Sequence, residues 1–153
     1  MNTYGLGSIS PTPGPLAAGD ICRGVCRHLV DLGFAILTEF RLSSNRRVDV
    51  IGVNKAGIFV VVEVKSSVAD FRADGKWPDY KPFADKLYFA VANGFPVDLL
   101  PPSCGIMIAD AYNAVIFRES SDHKMNATRR RTQTLRFAQT AAERLQRTRD
   151  PRL

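Results

Sequence analysis

The sequence has no long hydrophobic run. Nowhere in its 153 residues do apolar side chains approach the roughly 20 in succession that a membrane-spanning helix needs. Residues 1–19 contain neither a basic start nor an apolar stretch of the kind found in a secretory signal. We therefore expect a cytoplasmic protein without membrane contact, and the length is that of a single domain with its own core.

Cysteine is scarce, and its number is odd. The three cysteines are Cys22, Cys26 and Cys104, and without an export signal we expect reduced thiols that face the core. A zinc site is the alternative, because Cys22 and Cys26 are four residues apart on a predicted helix with His28 nearby. Structural zinc sites take ligands in paired short spacings, and the absence of a second pair favours the core-facing thiols.

Acidic residues are scarce at the C-terminal end. Residues 123–153 contain nine lysines and arginines against Glu143 and Asp150, whereas residues 1–122 are close to neutral. One-sided positive charge is typical of a surface that binds a polyanion such as nucleic acid. The alternative is a solvated basic helix without a specific role.

Composition and hydrophobic periodicity divide the chain into three parts. Residues 1–19, rich in Gly, Pro and Ser, predict a loosely packed arm; residues 20–122 predict one α/β domain, and residues 123–153 a basic helix and tail. The predicted segments are a helix at 20–32, strands at 34–42, 46–53 and 58–65, short helical segments at 68–74 and 79–84, strands at 87–92, 104–110 and 113–118, and a helix at 128–147. The order αβββαβ predicts a mixed sheet flanked by helices, with an antiparallel meander first.

The helix predicted at 128–147 is amphipathic. The apolar stripe that we expect to pack on the core consists of Leu135, Ala138, Ala142 and Leu145. The candidate contacts to nucleic acid on this segment are Arg129, Arg130, Arg131 and Arg136.

Charged residues interrupt two of the predicted apolar strands. Asp49 lies in one run of Val and Ile, and Glu63 and Lys65 lie in the next; such charges are costly to bury unless they are paired or bind a metal. Because side chains alternate between faces, Glu63 and Lys65 share a face, and a tight hairpin places Asp49 opposite Glu63 or Val62. Glu39, in the apolar first strand, is a third acidic candidate.

Two carboxylates beside an ammonium are the set that metal-assisted phosphodiester hydrolysis requires. Carboxylate oxygens are preferred ligands of Mg²⁺ or Mn²⁺, and the ion activates water and polarises the phosphoryl group. The Lys65 ammonium would stabilise the transition-state charge and offset the repulsion between the carboxylates. The alternative is a cross-strand salt bridge from Lys65 to Glu63 or Asp49 on a solvent-facing sheet, which contributes little to stability.

The same residues resemble the motif of the PD-(D/E)xK nuclease superfamily. That motif has an acidic residue on one strand and then Asp or Glu, any residue and Lys on the next, which here are Asp49 and Glu63-Val64-Lys65. Val48 stands where a proline is usual. With the run of residues 77–91, from Trp-Pro-Asp-Tyr to Tyr-Phe-Ala-Val, the pattern over residues 20–120 is similar to the MmcB-related family of bacterial DNA repair proteins.

The resemblance implies a restriction-endonuclease-like fold and a nucleoid-associated DNA repair protein that hydrolyses DNA with Mg²⁺ or Mn²⁺. It implies catalytic roles for Asp49, Glu63, Lys65 and Glu39, with Asp49 and Glu63 as the metal ligands. Two other functions stay open, a non-catalytic module that binds DNA or recruits partners, and a nuclease that processes RNA. The expected partners are branched, damaged or single-stranded DNA and other repair proteins, whereas the oligomeric state is not specified.

The segment after the motif strand adds two further candidates. In related nucleases the helix at this place supplies a polar residue to the site, which implies nucleic-acid contacts for Lys76 and Tyr80. The alternative is that both side chains pack on the surface around Trp77.

Overall fold

The computed structural model describes residues 16–152, so most of the predicted N-terminal arm lies outside the described residues. The helices are α1 (Ala18–Asp31), α2 (Val68–Ala73) and α3 (Ala127–Arg149), with 3₁₀ segments at Trp77–Phe83 and Val97–Leu99. The strands are β1 (Ala35–Arg41), β2 (Arg47–Val53), β3 (Phe59–Val64), β4 (Lys86–Val91), β5 (Gly105–Ala109) and β6 (Ala114–Arg118). None of the described helices is long and apolar enough to cross a membrane.

The six strands form one mixed sheet in the order β1-β2-β3-β4-β5-β6. The first three strands make the predicted antiparallel meander. The β3–β4 and β4–β5 pairs are parallel, and β5 and β6 form an antiparallel hairpin. The predicted α/β class, with a mixed sheet flanked by helices and a C-terminal helix, is confirmed.

The turn between β2 and β3 sets the register of the central hairpin. The Asn54 side-chain oxygen accepts hydrogen bonds from the amides of Ala56 and Ile58, and Gly57 has a φ of 77°, which favours glycine. The resulting ladder pairs Val50 with Val62. Continued by one residue, this register brings Asp49 opposite Glu63, as the short spacing predicted.

The sheet is covered on both faces. On one face α1 packs on Val60, Val62 and neighbouring strand residues. Gly24 makes this approach possible, because a Cβ at that position would clash with the backbone oxygen of Asp110. On the other face α3 and the Trp77–Phe83 segment cover a second buried cluster that includes Phe59 and Val61. Asp49 and Glu63 lie just beyond the last residue pair of the β2–β3 ladder, and Lys65 follows β3 directly.

Helix α3 does not bury the stripe that the sequence predicts. Leu135 and Leu145 are 61% and 58% exposed, and the buried residues of the helix are Gln133 and Phe137. The Gln133 amide donates to the backbone oxygen of Phe83 at 2.8 Å. The prediction was wrong because hydrogen bonds from polar side chains, rather than apolar contact alone, orient this helix on the sheet.

An ion pair anchors the start of α3. Asp85 is buried and accepts two hydrogen bonds of 2.6 Å from Arg130, together with amide hydrogen bonds from Phe59 and Met125. Arg130 also donates to the backbone oxygen of Gly57 at 2.6 Å. Burial alone would raise the pKa of Asp85, but the Arg130 and amide hydrogen bonds hold it below its ordinary value. This carboxylate therefore joins α3 to the turn before β3 and to the start of β4.

Candidate functional site

The site begins where the β2–β3 ladder ends. Beyond the Val50–Val62 pair, the Asp49 amide donates to Glu63 Oε1 at 3.0 Å, and the Val64 amide donates to Asp49 Oδ2 at 2.8 Å. Each carboxylate therefore accepts a hydrogen bond from a backbone amide of the other strand. In a regular ladder a backbone carbonyl would accept the hydrogen bond of such an amide. This reciprocal exchange fixes the two carboxylates side by side between the strands.

Burial and mutual repulsion oppose ionisation of the two carboxylates. Glu63 is 4% exposed; burial first, and then the Asp49 charge, raise its pKa to about 8. Burial also raises the pKa of Asp49, against the opposing effects of the Val64 amide, the Lys65 charge and a hydrogen bond with Glu63. The metal-free pair is therefore under-ionised at neutral pH, and a bound cation would stabilise both charged forms.

Lys65 is paired with a residue that the motif does not include. Its Nζ lies 2.7 Å from Oδ2 of Asp74, and the two side chains are 8% and 12% exposed. Burial lowers the pKa of Lys65, but the Asp74 hydrogen bond and the surrounding acidic charges raise it above its ordinary value overall. Lys65 therefore stays an ammonium, and its partner is a partly buried aspartate after α2 instead of a cross-strand carboxylate.

One open cavity of about 610 Å³ brings the predicted site residues together. The start of α1, the middle strands and the segment from α2 to Tyr80 all contribute to its wall. Six predicted residues line it: Glu39, Asp49, Glu63, Lys65, Lys76 and Tyr80. Burial, followed by the nearby carboxylates, raises the pKa of Tyr80 to about 12, so its phenol keeps its proton.

Glu39 lies at a kink in β1. Its φ is 48°, in the left-handed region that non-glycine residues rarely adopt, and the β1–β2 ladder passes over it from Thr38 to Phe40. Arg144 of α3 donates to the backbone oxygens of Thr38 and Glu39 at 2.6 and 2.9 Å. The kink that places Glu39 at the rim of the cavity is thus held by the C-terminal helix.

The donor set fits a small divalent cation. Oδ1 of Asp49 and Oε2 of Glu63 accept no hydrogen bond from an N–H donor of residues 16–152, so when both carboxylates are ionised each has one oxygen left for a ligand. Within the same residues, no three His, Cys, Asp or Glu side chains cluster as a metal site. Glu39 thus does not join Asp49 and Glu63 in a three-residue cluster among the described residues. Two carboxylates with water in the remaining positions suit Mg²⁺, which keeps several of its waters in proteins.

Comparison with known proteins identifies the family. A family model described as "DNA repair protein MmcB-like" matches residues 15–152. The chain belongs to the MmcB-like family. Its match extends through α3, beyond the 20–120 range of the sequence resemblance. The MmcB-like chain is also 44% identical to a solved structure, the SPO1766 protein of unknown function from Silicibacter pomeroyi, with a TM-score of 0.84 and coverage of 89% of this chain and 94% of that one. The comparison of this chain with curated proteins found no match.

The four arginines predicted as nucleic-acid contacts of this MmcB-like protein lie in different surroundings. Arg129 stacks 4.7 Å from the ring centre of Phe83, and Arg130 is taken up by its ion pair within the fold. Arg131 is exposed, whereas Arg136 lines a groove next to the carboxylate cavity. Arg130, which is engaged within the fold, and Arg131, which lies outside the groove lined by Arg136, are not among the proposed contacts.

Sequence reasoning missed several residues that the MmcB-like fold brings to the cavity. Asp74 is the most important, and no periodicity links a residue after α2 to Lys65. Cys22 also lines the cavity, and nothing in its spacing from Cys26 indicates this. Arg47 had a usable signal, because strand alternation places it on the same face as Asp49.

The metal-free MmcB-like protein is expected to lose stability as pH rises. Since folding raises the pKa of Glu63 from 4.5 to about 8, the native state binds the extra proton between these values, and the free energy of unfolding falls across that window. Glu63→Gln removes this dependence and should be more stable than the wild type near pH 8.5, by on the order of 2 kcal/mol. Thermal unfolding in EDTA from pH 5 to 9 measures this, with the exposed Asp98→Asn as control. Parallel profiles for Glu63→Gln and the wild type would refute it.

Proposed function

We propose that this DNA repair family member is a metal-dependent DNA phosphodiesterase of the PD-(D/E)xK type. The observation that carries the proposal is the adjacent Asp49–Glu63 pair, with Glu63 buried and Asp49 half-buried, in which each carboxylate keeps one oxygen free of amide hydrogen bonds. Placing two adjacent carboxylates in a cavity has a cost in repulsion and desolvation. A divalent cation bound to both carboxylates offsets this cost and also binds the phosphate of the substrate.

The chain's own residues have separable roles in this proposal. Asp49 and Glu63 hold Mg²⁺ or Mn²⁺, which when bound supplies Lewis-acid polarisation and an activated water. Lys65, kept charged and oriented by Asp74, stabilises negative charge on the phosphoryl oxygens. Tyr80, which keeps its proton, is suited to donate a hydrogen bond and not to act as a base.

The arrangement of the strands also supports the superfamily assignment. The acidic residue and the Glu-x-Lys element lie on neighbouring antiparallel strands after one helix, within the order αβββαβ. Glu39 on β1 is proposed to act from the rim of the cavity, through water or substrate, since it does not cluster with the carboxylate pair.

A direct cleavage assay tests the proposed activity. Purified wild-type protein should cut single-stranded, duplex or branched DNA with Mg²⁺ or Mn²⁺ and not in EDTA, and Lys65→Met should lose this activity. If the wild type cuts none of these DNAs with either ion, the enzymatic proposal is wrong.

The second candidate is a non-catalytic DNA-binding or partner-recruiting module on the same fold. One observation favours it, namely that the Lys65 ammonium is already engaged by Asp74 at 2.7 Å. Under this alternative the wild type binds DNA without cutting it, and Glu63→Gln leaves every measured property toward DNA unchanged.

A further inference from the structure

A groove lined by arginines adjoins the carboxylate cavity. It lies between α3 and the strands β1 and β2, has a volume of about 620 Å³, and shares Thr38, Glu39 and Arg47 with the cavity of Asp49 and Glu63. The arginines that line the groove are Arg41, Arg47, Arg136, Arg144 and Arg147. The two depressions therefore form one continuous surface that passes over the kink in β1.

Positive charge in the groove exceeds negative charge. Only two of its lining residues, Glu39 and Glu143, are acidic, and Glu143 approaches Arg147 no closer than 3.9 Å, between exposed side chains. Arg41 and Arg47 lie directly opposite each other across β1 and β2, a placement in which like charges destabilise a sheet. An anion between them would offset this repulsion.

The guanidinium groups of the groove are of two kinds. Arg144 donates to the backbone of β1, and Arg41 donates to the backbone and side-chain oxygens of Asn45. In the described part of the chain, by contrast, the Arg47 and Arg136 side chains make neither a hydrogen bond nor an ion pair. Arg47 and Arg136 are therefore available to a ligand without loss of a contact within the protein.

We propose that this arginine groove binds the sugar–phosphate backbone of the DNA strand whose reacting phosphate lies at Asp49 and Glu63. The proposal rests on the proposed function and extends it to the course of the substrate. Successive phosphates match several guanidiniums in one groove, since each guanidinium can hold two phosphate oxygens. No aromatic side chain among the lining residues described for the groove offers a stacking surface, so binding depends on phosphates and not on base identity.

Salt-dependent DNA binding tests the groove separately from catalysis. Fluorescence anisotropy of a labelled oligonucleotide in EDTA, over a range of salt concentrations, gives the Kd and its salt slope without cleavage. Arg136→Gln/Arg147→Gln should weaken binding about tenfold or more and reduce the slope of log Kd against log salt by about 1.4 on single strands, or about 1.8 on duplex. Oligonucleotides of different sequence should bind within about threefold of one another.

The matched control removes the same charge from the same helix. Arg131 and Arg149 lie outside the groove, and Arg131→Gln/Arg149→Gln should weaken binding by less than about threefold. Equal losses in the two double variants, an unchanged Kd in the groove variant, or strong sequence preference would overturn the proposal. Circular dichroism and the Tm verify that both variants fold.

The two proposals fail in different ways. Divalent-dependent cleavage by the wild type, with unchanged DNA binding in Arg136→Gln/Arg147→Gln, rejects the groove and keeps the enzymatic function. Groove-dependent binding by a wild type that cleaves nothing keeps the groove as a DNA site and rejects the enzymatic function.

Discussion

Glu63→Gln is expected to reduce Mg²⁺-dependent DNA cleavage by about 10²–10³-fold, the effect typical of losing one electrostatic catalytic group. Glutamine keeps the size of the side chain and an oxygen to accept the Asp49 amide. It removes the negative charge that would ligate the ion, so folding is retained and metal binding is lost. Single-turnover cleavage rates measure the change.

Two comparisons make this result specific to the site. DNA affinity in EDTA should stay within about threefold of the wild type, because the proposed phosphate contacts lie outside the carboxylate pair. Asp98→Asn, at an exposed position of the Val97–Leu99 segment, should cleave at the wild-type rate. A Glu63→Gln protein that cleaves within tenfold of the wild type would rule out this residue as a metal ligand.

Asp85→Ala is expected to cost about 3–5 kcal/mol of unfolding free energy, the range for removing one partner of a buried ion pair. It leaves the Arg130 guanidinium and the amides of Phe59 and Met125 without their acceptor. For a chain of this size the loss corresponds to a fall in Tm of about 6–20 °C. Thermal and urea unfolding both measure it.

The neighbouring arginines supply the matched comparison. Arg130→Met removes the other partner of the pair and should also destabilise strongly, whereas Arg131→Met, at an exposed position, should change the unfolding free energy by less than about 0.5 kcal/mol. Equal effects of the two substitutions would show that the ion pair does not anchor α3.

The central part of the fold follows from local rules, and these are visible in the sequence. Short turns with Asn and Gly fix the hairpins, and alternation fixes which residues share a face. For these reasons the pairing of β2 with β3, and with it the adjacency of Asp49 and Glu63, was predictable. Asp49 and Glu63 were recognisable as candidates because their neighbours in the sequence are apolar.

Residues distant in sequence were not predictable in this way. Asp74 meets Lys65 only because α2 turns back over the end of β3, and Arg144 meets Glu39 only because a distant helix returns to β1. The packing of α3 was mispredicted for a related reason. An amphipathic pattern shows which residues are apolar. It does not show that Gln133 is buried and Arg130 half-buried against specific hydrogen-bond acceptors, because those acceptors are distant in sequence.

The polar underside of α3 has a mechanical consequence. Hydrogen bonds and ion pairs depend more strongly on direction than apolar contacts do. Arg130 and Gln133 engage Asp85 and Phe83 in the segment before β4, and Arg144 engages β1. A shift of the helix by one turn would break all three contacts together. These contacts fix the position and rotation of α3 on the sheet. The backbone positions of Arg136 and Arg147 on the same helix are therefore fixed relative to the carboxylate pair, and in the proposed complex DNA would not spend binding energy on ordering the helix.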